Sequence, residues 1–125
     1  LSGPDLAVAL DLPADLPPVA APLAVIETVL TVLVENSRQA GARRVTIGGR
    51  HERDEVVLEV VDDGPGVAPA DAARLFEPFF TTRRTQGGTG LGLSIARSLA
   101  RAHGGEAAYL AGDAGARFSL SLPTA

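Results

Sequence analysis

A glycine-rich run, Gly88–Gly92, has a composition that would suit the binding of a ligand. Glycines let a backbone approach a ligand closely, and the apolar periodicity after the run predicts a helix over residues 90–102. Free N–H groups and the helix dipole favour an anion, such as a phosphate, at a helix start. The run lacks the preceding strand and the wider spacing of a dinucleotide-binding fingerprint, so a flexible hinge explains it equally well.

Two adjacent carboxylates, Asp62 and Asp63, end an apolar stretch and precede Gly64, Pro65 and Gly66. A carboxylate at a strand end, followed by two glycines, can present an oxygen to the flat edge of a ligand. The exocyclic amine of adenine is one donor that such an oxygen would accept. A turn in which the aspartate acts as a local cap is the structural alternative.

An amide, Asn36, is predicted on the apolar face of a helix. Apolar residues recur at helical spacing from Leu23 to Leu33, which predicts a helix over residues 22–40 that Gly41 ends. Asn36 follows Leu33 by three positions, so its amide shares that face. A buried amide needs polar partners, and the backbone alone could supply them.

Basic side chains are placed where they could meet an anion. Arg83 and Arg84 fall in a polar loop predicted over residues 77–89, close to the glycine run. Guanidinium forks suit phosphate oxygens, although two solvated surface charges would look the same. His51 is predicted in a hairpin turn and His103 at a helix end, both without a chemical role, because the spacing fits no metalloprotease motif.

Composition excludes several classes of protein. The 125 residues, 46% apolar and 21% charged, suit one globular domain. The chain has no Cys, and all eleven basic residues are Arg, which excludes disulfides, thiol nucleophiles, Schiff bases and a Walker A lysine. A net charge of −4 argues against nucleic acid as a partner. No apolar run approaches the ~20 residues of a membrane span. Because Leu1 is not Met, we expect the chain to be a domain excised from a longer protein.

The predicted elements form a sheet with helices stacked on one face. An edge strand over Leu6–Leu12 precedes the first helix, and the chain then continues with a hairpin over residues 43–61, a short helix over Asp71–Phe76 and the helix over 90–102. Strands near Glu106–Leu110 and Ala116–Leu122 close the chain. This order is not a regular βαβ alternation, so a doubly wound sheet is disfavoured.

Four motifs, taken in chain order, resemble the motifs of a known protein family. The segments Val34–Ser37, Asp62–Gly66, Leu75–Thr82 and Gly88–Ser94 resemble the N, G1, F and G2 boxes of the catalytic ATP-binding domain of bacterial sensor histidine kinases. The resemblance covers nearly the whole chain. It implies an α/β two-layer sandwich, the Bergerat fold shared with DNA gyrase, Hsp90 and MutL, in which a mixed, mainly antiparallel sheet carries helices on one face.

The resemblance also implies ligands and roles, with ATP and Mg²⁺ as the cofactors. Asn36 would hold Mg²⁺ against the phosphates, Asp62 would accept from the adenine amino group, and Arg83 would face a phosphate. Residues 77–89 would form a lid over the nucleotide. The remaining implied nucleotide contacts are glycines and their neighbours: Gly64, Gly66, Gly88, Thr89, Gly90, Leu91 and Gly92.

Three departures from the family pattern limit what the chain could do alone. Val32 stands where the family commonly has Asn and where related ATPases have a water-activating Glu, so autonomous ATP hydrolysis is expected to be poor. Gln39 stands where a Lys is often found. No His lies in a helical phosphoacceptor context, so the dimerisation domain that bears it must be a separate partner.

The resemblance therefore implies a protein-histidine kinase domain that transfers the γ-phosphoryl group of Mg-ATP to a histidine of that dimerisation domain, with a response regulator downstream. The implied location is the cytoplasm, with no membrane insertion by this segment. Two alternatives stay open: a nucleotide-binding module with weak or no catalysis, and a serine kinase of the anti-sigma-factor type with the same fold. A gyrase- or Hsp90-like ATPase is the least favoured.

Overall fold

The fold is a five-stranded sheet covered on one face by helices. A computed structural model describes residues 6–80, 90–111 and 115–125. The elements in chain order are β1 (Ala7–Asp11), α1 (Leu23–Gln39), β2 (Arg44–Glu52), β3 (Glu55–Asp62), α2 (Pro69–Ala72), α3 (Gly92–Ala102), β4 (Glu106–Ala111) and β5 (Ala116–Pro123). No helix among these described residues is long and apolar enough to span a membrane.

The sheet is mixed and mainly antiparallel. Its strand order is β1-β2-β3-β5-β4, with β1 at one edge and parallel to β2, and every other neighbouring pair antiparallel. The α/β two-layer architecture predicted from the sequence is confirmed, as is the edge position of β1.

One apolar core lies between the sheet and the two long helices. Alternate residues of β2, β3 and β5 point into it, as the two-residue period of a strand requires. The ring of Phe118 on β5 is fully buried and meets Tyr109 on β4 edge to face, with 5.3 Å between ring centroids. From α3, Ala96 and Ala100 enter the core, and their small side chains let the helix lie close to the sheet.

The structure corrects several predicted boundaries. His51 and Glu52 belong to β2, opposite Val56 and Glu55, so the turn lies at Arg53–Asp54. The short helix is only Pro69–Ala72, and the fixed φ angle of Pro69 suits its first position. Its N-cap, Ala68, has no polar side-chain atom and makes no side-chain cap. The helix predicted over 90–102 begins at Gly92, since the positive φ of +79° at Gly90 is incompatible with a right-handed helix.

The buried face of α1 is rotated relative to the prediction. Its fully buried residues are Val29, Leu33, Val34 and Ser37, whereas Asn36 is half-buried at the edge of this stripe. The first predicted core residue of the helix, Leu23, is 68% exposed. A helix has 3.6 residues per turn, so residues three apart and residues four apart lie on slightly different faces. The prediction placed Asn36 on the apolar face by a spacing of three, whereas the packed face follows the spacing of four from Val29 through Leu33 to Ser37.

Candidate functional site

A buried carboxylate, Asp62, ends β3 with one oxygen bonded and one not. The residue is 6% exposed. Its Oδ1 accepts the backbone N–H groups of Gly64 and Ala116, each at 3.0 Å, which fixes the plane of the carboxylate. Its Oδ2 is buried and has no hydrogen-bond partner in the part of the chain that the structure describes. An unpaired buried acceptor lowers the stability of a fold, so a ligand that donates a hydrogen bond to Oδ2 would gain binding energy there.

The adjacent Asp63 has a different structural task. It is exposed, and its Oδ1 accepts the backbone N–H groups of Arg43 at 2.8 Å and Arg44 at 2.9 Å. These bonds fasten the connection between α1 and β2 to the end of β3. The backbone N–H of Arg44, followed by that of Arg43, holds the pKa of the Asp63 carboxyl below its ordinary value. The structure therefore separates the two aspartates, because Asp62 keeps a buried oxygen without a partner among the described residues, whereas Asp63 is exposed to solvent.

Replacing Asp63 with alanine is expected to lower the melting temperature at pH 7 and to do so less at low pH. A carboxylate with a depressed pKa stabilises the fold above the pKa of the unfolded chain, which is about 3.9 for Asp, and this contribution is lost as the pH falls through the folded pKa. Thermal unfolding of both proteins from pH 7 to pH 3 measures the effect. A melting difference that stays constant over this range would contradict the assignment.

Glycines surround Asp62 where any side chain would collide. A Cβ at Gly115 would lie 2.9 Å from Asp62 Oδ1 and closer still to the backbone oxygen of Asp62. A Cβ at Gly64 would lie 3.3 Å from the same Oδ1, and Gly66 has a positive φ of +76°. Sequence reasoning found Gly64 and Gly66 but missed Gly115, which directly precedes the strand predicted near Ala116–Leu122. The contact of Gly115 with Asp62 on β3 cannot be inferred from sequence spacing.

Asn36 lies on α1, where its amide could contact a ligand. Its backbone oxygen accepts the N–H of Ala40 at 3.1 Å, and its side chain makes no hydrogen bond to another described residue. No group of three or more His, Cys, Asp or Glu side chains is placed to hold a metal ion within residues 6–80, 90–111 and 115–125. Magnesium accepts a single protein oxygen when phosphates and waters complete its shell, so an amide at this position fits that ion as a shared ligand with a nucleotide.

The start of α3 meets α1 through two residues without polar side chains. A Cβ on Gly92 would lie 3.3 Å from Cγ1 of Val32. Leu91 is the N-cap, and the Ser94 hydroxyl donates to its carbonyl oxygen at 2.9 Å. Val32 therefore faces the start of α3 with an aliphatic side chain.

Gly90 and Phe79 bring the two ends of the predicted lid together. The backbone N–H of Phe79 donates to the oxygen of Gly90 at 2.6 Å, and both residues have positive φ angles, +68° and +79°. A Cβ on Gly90 would lie 2.6 Å from Cα and O of Phe79, so glycine is required there. Phe79 is 64% exposed, whereas Phe80 packs against the core.

Two arginine–aromatic stacks hold Phe76 and Phe80, where the predicted lid begins. The guanidinium carbon of Arg97 lies 3.9 Å from the ring centroid of Phe76, and that of Arg74 lies 4.4 Å from the ring centroid of Phe80. Arg97 also donates to the carbonyl oxygen of Ala107 at 3.1 Å, which joins α3 to β4. Residues 81–89, which contain the sequence-predicted contacts Arg83, Gly88 and Thr89, and also Arg84, lie outside the described residues.

The architecture and the site define a class of protein: a mixed sheet covered by helices on one face, with a buried acidic residue at the end of β3 and a long helix, α3, that begins after Gly90. Comparison with protein families gives the same class. Residues 23–125 match the family described as histidine kinase-, DNA gyrase B- and HSP90-like ATPase. The chain belongs to this family of ATP-binding domains.

Curated relatives are sensor kinases. The chain is 40% identical over 113 residues to the sensor protein ChvG of Agrobacterium fabrum. This match covers 80% of this chain and 19% of that protein. It is 36% identical over 84 residues to the sensor histidine kinase CpxA of Escherichia coli. That match covers 64% of this chain and 18% of CpxA. The chain thus spans about a fifth of the length of these curated relatives.

Solved structures share the fold over nearly the whole chain. The catalytic domain of the histidine kinase ThkA superposes with a TM-score of 0.83 and 28% identity, covering 96% of this chain and 80% of that one. Full-length ShkA, solved in complex with AMPPNP, gives a TM-score of 0.82 and 31% identity, covering 96% of this chain and 26% of that one.

Proposed function

We propose that this chain binds Mg-ATP and donates its γ-phosphoryl group to a histidine on a separate dimerisation domain. The observation that carries the proposal is the carboxylate of Asp62, with Oδ1 fixed by two backbone donors and Oδ2 left buried and unpaired. An acceptor held in this way favours a ligand that presents a donor. The amino group of adenine is such a donor, whereas guanine presents a carbonyl oxygen at the same ring position.

The phosphates would lie between α1 and the start of α3. Gly90, Leu91 and Gly92 bring the backbone to the first turn of α3, where free N–H groups and the helix dipole favour an anion. Arg83, Gly88 and Thr89 are proposed to complete this contact, with Arg83 as the cation facing a phosphate. Asn36 would share Mg²⁺ with the phosphates, and the ion would neutralise charge as it develops on them.

The transfer step needs a nucleophile from outside this chain. An imidazole nitrogen of the acceptor histidine would bond to the γ-phosphorus, while the bond from that phosphorus to the β,γ-bridging oxygen breaks and ADP leaves. His51 lies within β2 and His103 caps the end of α3, so neither resembles an acceptor on a helical dimerisation domain. Positioning and charge neutralisation do most of the work in such a transfer.

Water should compete poorly with the acceptor histidine. Val32 packs against Gly92 and offers no carboxylate to activate water. The sensor kinase names of ChvG and CpxA, and the AMPPNP complex of ShkA, support a nucleotide-dependent signalling role. A response regulator would then receive the phosphoryl group in the cytoplasm, where ATP is available.

A transfer assay tests the proposal. We expect label from γ-³²P-ATP to appear on the longer sensor kinase that contains this domain, on a linkage that acid hydrolyses and base does not, and we expect no label on the domain alone. Label that survives acid would indicate serine phosphorylation of the anti-sigma type instead. Absence of label on the longer protein, with nucleotide still bound, would leave a binding module without catalysis.

The binding-module alternative has its own support in the structure. Besides Val32, Gln39 replaces a basic residue, and its side-chain nitrogen lies 3.5 Å from Oε1 of Glu35, within α1. Neither residue provides a charge to the phosphates. The same transfer assay decides between the two functions, because nucleotide binding is common to both.

A further inference from the structure

Arg97 on α3 contacts two separate parts of the fold with one side chain. Its guanidinium carbon lies over the ring of Phe76, 3.9 Å from the ring centroid. Its Nε donates to the carbonyl oxygen of Ala107 at 3.1 Å and lies 3.2 Å from Oε1 of Glu106, both on β4. The side chain is 30% exposed, so these contacts are partly shielded from water. Arg97 therefore joins α3 to the edge strand of the sheet and also to the segment that contains Phe76.

A second contact joins that segment, Arg74–Phe80, to the residues just before the helix. The backbone N–H of Phe79 donates to the carbonyl oxygen of Gly90 at 2.6 Å. A Cβ on Gly90 would collide with the backbone of Phe79, so the two chains pass each other as closely as glycine allows. The segment is thus attached to α3 at two points: through Gly90 before the helix begins, and through Arg97 more than one turn along it.

Two contacts on either side of the helix start restrict its movement. The hydrogen bond at Gly90 alone would let the first turn of α3 tilt about one point, whereas the stack of Arg97 on Phe76 and its bond to β4 oppose that tilt. The proposed function places the phosphates of the nucleotide at this first turn. Hydrogen bonds depend steeply on distance and angle, so a small displacement of the N–H groups there would weaken their hold on a phosphate.

We propose that Arg97 is a positioning residue for the phosphates of the nucleotide. It holds the first turn of α3 against the Arg74–Phe80 segment and against β4, and thereby aims the backbone N–H groups of that turn at the phosphates. Its own guanidinium is engaged with Phe76 and β4 and does not touch the nucleotide. The base is assigned to Asp62, whose carboxylate is fixed by backbone donors outside α3. The inference rests on the proposed function, since it concerns the same nucleotide.

Titration with ADP by calorimetry and with adenosine by NMR tests the inference, because adenosine presents the same base without phosphates. We expect Arg97→Ala to bind ADP about fivefold or more weakly than the unmodified chain, and adenosine within about twofold. Arg97→Lys should recover part of the ADP affinity, because an ammonium can lie over the ring of Phe76 but lacks the planar stack. Equal losses for ADP and adenosine would indicate a general structural role, and those losses or an unchanged ADP affinity would overturn the proposal.

Phe76→Leu removes the same contact from its other side. Leucine keeps the apolar packing of this position but has no aromatic face for the guanidinium. We expect a loss of ADP affinity that again spares adenosine, and we expect the double variant Arg97→Ala/Phe76→Leu to bind ADP like Arg97→Ala alone. Losses that add up in the double variant would mean that the two residues act independently, which the proposal excludes. This variant also decides the question if Arg97→Ala does not fold.

Arg74→Ala is the matched control. The guanidinium carbon of Arg74 lies 4.4 Å from the ring centroid of Phe80 and its Nε donates to Glu77, but neither contact reaches α3. We expect ADP affinity to stay within about twofold of that of the unmodified chain. A loss as large and as selective as that of Arg97→Ala would overturn the specific role of Arg97. If the unmodified chain bound no ADP, the proposed function itself would fail; if it bound ADP and the Arg97 variants did so equally, this inference alone would fail.

Discussion

Replacing Asp62 with asparagine is expected to weaken ADP binding by a factor of ten or more, which corresponds to about 1.4 kcal/mol or more. The amide oxygen of asparagine can still accept the backbone N–H groups of Gly64 and Ala116, so the local fold is retained. Its amide nitrogen then occupies the place of Oδ2 and turns an acceptor into a donor. Two donors would face each other at the adenine amino group. Calorimetric titration of both proteins measures the loss.

Asp63→Asn is the matched control for this prediction. It makes the same chemical change one residue away, at an exposed side chain whose one engaged oxygen, Oδ1, bonds backbone donors. We expect ADP affinity to change by less than about twofold, because this carboxylate does not face the base. Equal losses for the two variants would mean that general electrostatics, rather than a bond to Oδ2 of Asp62, governs binding.

Replacing Gly115 with alanine is expected to abolish nucleotide binding and to destabilise the fold by about 3 kcal/mol or more. The new Cβ would collide with the backbone of Asp62 and would lie 2.9 Å from its Oδ1. Backbone atoms cannot rotate away as a flexible side chain can, so β3 and β5 must separate where they hold the carboxylate. Chemical denaturation and ADP titration of the same preparation measure both effects.

Gly48→Ala is the control for Gly115→Ala, because it tests whether replacing any glycine would lower stability and nucleotide binding. Gly48 lies on β2 without a positive φ, and the nearest atom to an added Cβ is the backbone oxygen of Asp11 at 3.8 Å. We expect its free energy of unfolding to stay within about 0.5 kcal/mol of the unmodified chain, with ADP binding unchanged. A Gly115→Ala protein as stable as Gly48→Ala would show that the contact between Gly115 and Asp62 is not tight in solution.

The elements of the fold were predictable because their signals are local. Strand and helix periods placed every long element to within a few residues, and Pro22 and Gly41 at the ends of α1 marked its limits. The short helix α2 was misplaced because its four residues carry too little periodicity to define a start. The face of α1 was wrong by part of a turn, because packing against α3 and the sheet, rather than spacing alone, selects it.

The site was predictable in its residue types but not in its contacts. The sequence singled out Asp62, Gly64 and Gly66, and the order of the four motifs implied their ligand class. Apart from the resemblance, which assigned the adenine contact to Asp62, spacing could not separate the tasks of Asp62 and Asp63, since that difference arises from which backbone donors reach each carboxylate. Gly115 was missed for the same reason: it matters through contact with Asp62, far away in the chain, and sequence spacing carries no record of such contacts.

The central claim, that this chain binds an adenine nucleotide with Mg²⁺ through Asp62, is tested most directly by calorimetry. The unmodified chain should be titrated with ADP, GDP and AMPPNP, each with and without Mg²⁺. The account predicts micromolar-range binding of ADP and AMPPNP that Mg²⁺ strengthens, and GDP binding at least about ten times weaker. Equal affinity for ADP and GDP, or no binding of either adenine nucleotide, would contradict it.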